Sequence, residues 1–376
     1  MVGAGNYKIF VEHFEAKSRW LCRTGAPEAV RSLLPWRKID RLIATNSVPA
    51  DNFKVMVNRN EVERRLYRDS KTGLIHTGTL HEMAAQGATL LINGISHLVP
   101  PIAELAAETE RQLGQSVNVN CYLSFGQHSA FHAHYDDHDV IAVQVHGAKQ
   151  WRCYGVDIPF PLHGAHTSAL QTPVWEGVLG PGDILYLPRG DVHAAIPVDR
   201  PSVHLTIGIT EHTGVDFIKW LAKKAEGDEV FRRGLAKTAP TQHRAAREHE
   251  VKQALHALID ATPIAGYFAD DDKSRAPRPV AAFDFDKRLM ADSVLVSALR
   301  RRIDLETANP DECKVDLGGK QMRLSAVARH ALQLTTERDR LTFAALAEEL
   351  GRDIADRELI DSLGDLARKA LIEIVA

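Results

Sequence analysis

Between residue 117 and about residue 210 the chain alternates apolar and polar positions in short runs, VNVNCYLSF, DVIAVQV, QWRCYG, DILYLP and SVHLTIGI, each closed by turn residues. Such period-two runs, with no long helical stretch between them, predict the antiparallel strands of a sandwich or barrel. The flanking regions have a different period. In SHLVPPIAELAAETERQLG (96–114), Ile102, Leu105, Ala106, Thr109 and Leu113 recur at helical spacing, with Pro100 and Pro101 at the start and Gly114 at the stop. Just before it, ATLLING (88–94) reads as a buried strand closed by Asn-Gly, so residues 1–115 are mixed α and β.

From residue 216 the helical period returns in DFIKWLAKKAEGDEVFRRGLA and HRAAREHEVKQALHALIDA. The Pro- and charge-rich DDDKSRAPRPVAAFD (270–284) reads as a linker or extended crossing segment. Beyond residue 304, helices are predicted at RLSAVARHALQLTT, TFAALAEEL and DRELIDSLGDLARKA, followed by the β-run LIEIVA, a pattern that fits a winged-helix module. No internal repeat or low-complexity tract is present.

Composition narrows the function classes. The 376 residues are 44% hydrophobic and 25% charged, the balance of a folded, soluble protein with one principal domain and smaller appendages. A net charge of −3 supplies no general field for nucleic acid or anionic lipid. Cys22, Cys121, Cys153 and Cys313 show no Cys-x-x-Cys spacing, which argues against a thiolate metal site or a disulfide framework. With no leader-like N-terminus and no long apolar run, the expected compartment is the cytoplasm, with no membrane partner.

The chemistry concentrates in FHAHYDDHDV (131–140), three histidines and three aspartates within ten positions of a β-region. Two ligand registers are open: His132-x-His134 with Asp139, or His134-x-Asp136 with a distant histidine. On a strand, residues i and i+2 share a face, so either pair can converge on one ion. Downstream, in GDILYLPRGDVHAAIP (182–197), an apolar strand ends at Pro188 and Gly190 permits a tight turn before His193. This G-x5-P-x-G-x2-H pattern resembles the second motif of the cupin superfamily, which implies His193 as a metal ligand. After DVIAVQV, the turn HGA leads to Lys149 and Trp151 on a predicted hairpin partner, and a cation there could hold the distal carboxylate of an acid chelating the metal.

Together, HYDDHDVIAVQVHGAKQWRCYG and GDILYLPRGDVHAA resemble the JmjC-domain 2-oxoglutarate oxygenases, most closely the ribosomal oxygenase group. The resemblance is strong over 117–210 and weak elsewhere, where HFEAKSRWLCRTG is similar to the family's leading segment. It implies an α+β fold: a double-stranded β-helix (JmjC/cupin jelly roll) over 1–215, a helical dimerisation region over 216–303, and a winged-helix-like domain over 304–376. It implies His134, Asp136 and His193 as ligands of Fe(II), with three positions left for the 2-oxo acid and O2. Lys149 is implied to bind 2-oxoglutarate, with Asn120, Tyr122 and Thr206 in the same pocket. Asp137, Ser202 and His204 are implied on the substrate side.

The implied activity is hydroxylation of a carbon of a protein side chain, a ribosomal protein being the group's example, by a homodimer. A peptide natural product or small molecule is an alternative substrate, and a non-catalytic metal-binding cupin an alternative class; the latter predicts His132 as a ligand and no need for Lys149. Plainer roles stand beside these. His132 and His138 read as rim histidines, Asp137 as an exposed turn residue, Asn120, Tyr122 and His204 as satisfied interior groups, and Trp151 as core. The basic runs ALRRRI and FRRGLAK read as exposed helix faces. The acidic AEELGRDIADRELIDSLGD disfavours DNA binding by the terminal module, leaving a packing or dimer role. Where the family has a glycine before the terminal β-run, this chain has Ala370.

Overall fold

A computed structural model describes residues 3–166, 172–303, 305, 314–338 and 340–375. The chain forms two compact units, Met1–Glu211 and His212–Ala376.

The first unit begins with α1 (Gly3–Glu15), β1 (Trp20–Arg23), α2 (Pro27–Arg31), α3 (Trp36–Ala44), β2 (Phe53–Val57), β3 (Asn60–Glu61), α4 (Thr77–Ala85), β4 (Thr89–Ile92) and α5 (Pro100–Leu113). The predicted helix is α5, stopped by Gly114 at φ +64°. Seven strands follow: β5 (Ser116–Ser124), β6 (His134–Tyr135), β7 (Asp139–Val156), β8 (Ala165–His166), β9 (Trp175–Leu179), β10 (Asp183–Leu187) and β11 (Asp191–Thr210). They form one eleven-stranded sheet of order β1-β10-β7-β11-β5-β4-β2-β3, with β6, β8 and β9 attached beside that path.

Strand alternation decides what faces where. Val119, Cys121 and Leu123 of β5, with Val203, Leu205 and Ile207 of β11, join the main core with Ile39, Leu42, Leu80 and Ile102 of the helices. The intervening Asn120, Tyr122 and Ser124, paired across the ladder with Thr206, His204 and Ser202, therefore point to the other face.

The predicted hairpin at HGA is absent. Instead β7 runs through the turn and bends at Gly147 (φ +59°), its first half pairing with Val203–Ile209 and its second with Asp191–Pro197 of the equally long β11. A Cβ at Gly147 would lie 2.6 Å from the Pro201 carbonyl oxygen, so only glycine allows the two strands to bend together. Asp139, at the start of β7, is fully buried and accepts from Lys17 Nζ (2.8 Å), Arg189 N (2.8 Å) and Tyr186 OH (3.2 Å). It fixes the segment after α1 to the barrel.

The second unit contains α6 (Gly214–Ala225), α7 (Glu229–Arg232), α8 (Thr241–Ala261), α9 (Ile264–Ser274), α10 (Phe285–Arg288), β12 (Val294–Ser297), β13 (Lys314–Leu317), β14 (Lys320–Arg323), α11 (Ala326–Glu337), β15 (Leu341–Thr342), α12 (Phe343–Glu349), α13 (Arg357–Arg368) and β16 (Ile372–Val375). Thr213 and Asp216 cap α6 reciprocally. β12 sits between β15 and β16, and Leu295, Leu332, Leu346, Leu363 and Leu371 form a core with α11–α13. Ala370 holds φ +56°, the left-handed conformation that glycine adopts without strain.

Two expectations change here. Asp270–Ser274, taken as linker, completes α9. The run ALRRRI is no helix face: it leaves β12, and Arg301 is buried against Asp272 at 3.1 Å. Cys22, Cys121 and Cys153 are buried and free, while Cys313 lies outside the described residues. No helix among the described residues is long and apolar enough to cross a membrane.

Candidate active site

The short strand β6 lies against the start of β11, so that His134 and His193 are directly opposed. Their rings are 4.7 Å apart, and Asp136 places one carboxylate oxygen 3.7 Å from His193 Nε2 and the other 4.0 Å from His134 Nε2. One ligand atom from each of the three residues lies within 4.8 Å of the other two, and this is the one such cluster among the described residues. Each imidazole is held from behind: His134 Nδ1 meets the His132 carbonyl and His193 Nδ1 the Asp191 carbonyl, both at 2.9 Å. A carbonyl can only accept, so each Nδ1 donates to it, and each Nε2 is the ring atom turned toward Asp136. Two such nitrogens and one carboxylate are a donor set suited to Fe(II).

The local backbone explains the placement. Gly190 sits at φ +84°, its N–H donates to the Asp136 carbonyl (3.0 Å), and a Cβ there would lie 2.4 Å from the Ile158 carbonyl oxygen. Asp191 is buried and paired with Arg19 at 2.6 Å, which fixes the turn leading into His193.

A cavity of about 230 Å³ adjoins the triad. Its walls include Asn120, Tyr122, Ser124, Lys149, His204 and Thr206, together with His134, Asp136 and His193. Lys149, only 3% exposed, donates to Ser124 Oγ (3.0 Å) and His204 Nδ1 (2.8 Å). Burial pulls its pKa down from 10.5 to about 7, against a small opposing influence of Cys121. Burial, then the charges of Lys149 and His193, hold the His204 imidazole well below its ordinary range, so it is neutral and accepts from Lys149. Burial, with Asp136 adding to it, pushes the Tyr122 phenol upward. Among the described residues no carboxylate pairs with Lys149. A buried ammonium with only neutral partners is costly unless an anion joins it, and this is the feature that fits the acid cosubstrate.

The structure separates the two ligand registers. Asp139 is committed to Lys17, and the cluster is His134, Asp136 and His193, with the His132 carbonyl behind His134. Of the other candidates, Asn120, Tyr122, Lys149, His204 and Thr206 line the cavity, and Asn120 Oδ1 accepts from Gly94 N. Asp137 and Ser202 do not: Asp137 is half-buried against His138, and Ser202 is fully buried beside Gln144 Nε2. Ser124 and Phe131 were missed. Ser124 continues the Asn120, Tyr122 alternation, a signal the sequence does carry. His138, read as a rim residue, lines the cavity as well.

Comparison with known proteins follows the same boundaries. A family model for the JmjC domain matches residues 98–217. The chain carries a JmjC domain.

Curated relatives include a Drosophila persimilis protein named bifunctional lysine-specific demethylase and histidyl-hydroxylase NO66, 28% identical over 201 residues, which are 52% of this chain and 29% of that one. Human ribosomal oxygenase 1 is 34% identical over 145 residues, 35% of this chain and 23% of the relative. The chain thus spans less than a third of the length of these relatives. Among solved structures, Escherichia coli YcfD, described as a ribosomal oxygenase in complex with cobalt and 2-oxoglutarate, superposes with a TM-score of 0.60 at 16% identity, covering 99% of this chain and 98% of YcfD. The complex of YcfD with cobalt and succinic acid superposes equally well. The fold around the JmjC domain is therefore that of a JmjC/cupin protein with mixed helices and antiparallel sheets.

Proposed function

We propose that this chain is an Fe(II)- and 2-oxoglutarate-dependent oxygenase that hydroxylates a carbon of a protein side chain, with a ribosomal protein as its target by likeness to its named relatives. The observation that carries this reading is Lys149, a buried cation with neutral partners, lining the same cavity as the triad. A metal-binding cupin without catalysis needs no such cation.

In this reading His134, Asp136 and His193 hold the metal, and Lys149 binds the distal carboxylate with Ser124 beside it. Asn120, Tyr122 and Thr206 line the acid. Bound there, Fe(II) and 2-oxoglutarate supply the oxidising chemistry that inserts one oxygen atom from O2 into a substrate C–H bond. The chain's own groups orient and exclude. The two carbonyl-held imidazoles turn their Nε2 atoms toward Asp136, and Lys149 keeps its proton on Nζ once an anion arrives. The rings of Tyr122, Phe131, Trp151 and His204 keep bulk water from the reacting atoms. Since His204 stacks on Tyr122 at 4.8 Å and supports Lys149, we assign it to the acid rather than to the substrate. Ser202 then acts only through Gln144, and Asp137 is left at the mouth.

The same reading makes 216–303 a dimerisation region and 304–376 a winged-helix-like domain of a cytoplasmic homodimer. The dimerisation region is supported by α8, where none of 21 residues is buried, and by the exposure of Leu255, Ile259, Ile218, Ile264 and Phe268. A dimer mass in solution is expected, and a monomer overturns this part. The substrate class is tested by incubating the protein with Fe(II), ascorbate, 2-oxoglutarate, O2 and a mixture of ribosomal proteins, followed by peptide mass analysis. One peptide should gain the mass of one oxygen atom, and lose that gain with His134→Ala. No modified ribosomal peptide would redirect the assignment to another substrate class.

A further inference from the structure

Trp151 lies two residues beyond Lys149 on β7, so both side chains point to the cavity face of the strand. Its ring packs against His193 (centroids 5.8 Å) and edge-to-face against His204 (5.5 Å). His193 belongs to the metal triad and His204 accepts from Lys149. The indole therefore occupies the wall between the metal and the cation. It is only 3% exposed, and its Nε1–H has no hydrogen-bond partner. Ring packing alone would be served by phenylalanine. A buried N–H left unsatisfied is costly, and such a donor beside a cavity is explained when a ligand supplies the acceptor.

We propose that the indole N–H of Trp151 donates a hydrogen bond to 2-oxoglutarate, making Trp151 a cosubstrate-binding residue rather than core filling. This rests on the oxygenase reading above. The acid spans from the triad to Lys149, and both of its ends carry carboxylate oxygens able to accept. Tyr122 and Phe131, also at the cavity, add ring surface, with Tyr122 stacked on His204. Trp151 adds a fixed donor whose position two packed imidazoles hold.

The test uses the full chain loaded with diamagnetic Zn(II). Calorimetric titration with 2-oxoglutarate compares wild type with Trp151→Phe, which keeps an aromatic ring and deletes the donor. The dissociation constant should rise about ten- to a hundredfold, as for loss of a hydrogen bond to a charged group, while Zn(II) affinity stays unchanged. Because Trp151→Phe can disturb packing, a second readout uses the native protein labelled with ¹⁵N-tryptophan. Of its five tryptophans, the Trp151 indole signal is assigned by elimination, replacing Trp20, Trp36, Trp175 and Trp220 singly. That proton should move downfield on adding 2-oxoglutarate. An unmoved Trp151 signal, or equal affinities in a folded Trp151→Phe protein, overturns the assignment to Trp151 alone. Failure of the wild type to bind 2-oxoglutarate overturns the oxygenase reading and this inference with it.

Discussion

Replacing Lys149 by methionine should move stability and cosubstrate binding in opposite directions. The buried ammonium has its pKa lowered from 10.5 to about 7, and at about 1.36 kcal/mol per pH unit its burial costs the folded state about 4–5 kcal/mol at neutral pH. Methionine fills similar volume without charge but forfeits the hydrogen bonds to Ser124 and His204, about 1 kcal/mol each. The ligand-free variant should therefore be about 2–3 kcal/mol more stable, raising the melting temperature of the first unit by roughly 5–10 °C. The sign depends on pH. The unfolded lysine keeps its proton up to 10.5 while the folded one releases it near 7, so the advantage is full below pH 7, vanishes roughly two pH units above it, and is reversed by about 10.5, where only the lost hydrogen bonds remain. Binding moves the other way: an acid carboxylate left buried without its cation loses about 3–5 kcal/mol, roughly two to four powers of ten in affinity. Calorimetric unfolding and titration with 2-oxoglutarate read both effects. A variant that is less stable without ligand and binds the acid as well as wild type would refute the reasoning.

Further outcomes follow from the same geometry. Affinity for 2-oxoglutarate should be flat below about pH 7 and fall by up to about tenfold per pH unit above it, because the free Lys149 then loses the proton that binding restores. Titrations in two buffers of different ionisation heat should show proton uptake on binding above pH 7. Gly190→Ala should lower stability by about 2 kcal/mol or more, since φ +84° strains it and its Cβ would meet the Ile158 carbonyl; chemical denaturation measures this. Arg19→Met should leave Asp191 buried without its cation, costing about 3–5 kcal/mol. Zn(II) affinity should drop with it, because the Asp191 carbonyl orients His193.

Much of the site is written locally in the sequence. His134-x-Asp136 uses the strand period, and the glycine–proline spacing before His193 records a turn that only glycine at position 190 tolerates. What escaped was non-local. The bend of β7 at Gly147 reads like a hairpin because glycine marks both, and only the matching bend of β11 decides between them. Asp139 stood among the candidate ligands because composition cannot show that Lys17, far away in sequence, claims it. Arg301 looked like surface charge until Asp272 and the fold of the second unit buried it. Trp151 was assigned to packing because an aromatic on a strand carries no sign of whether its N–H finds a partner.

The most direct measurement of the central claim is succinate formation by purified protein given Fe(II), ascorbate, O2 and 2-oxoglutarate, alongside calorimetric binding of 2-oxoglutarate to the Zn(II)-loaded chain. The account predicts metal-dependent binding and slow succinate release, both abolished in His134→Ala and Lys149→Ala. Zn(II) held by the wild type, with neither 2-oxoglutarate binding nor succinate, would contradict it and leave a metal-binding cupin in its place.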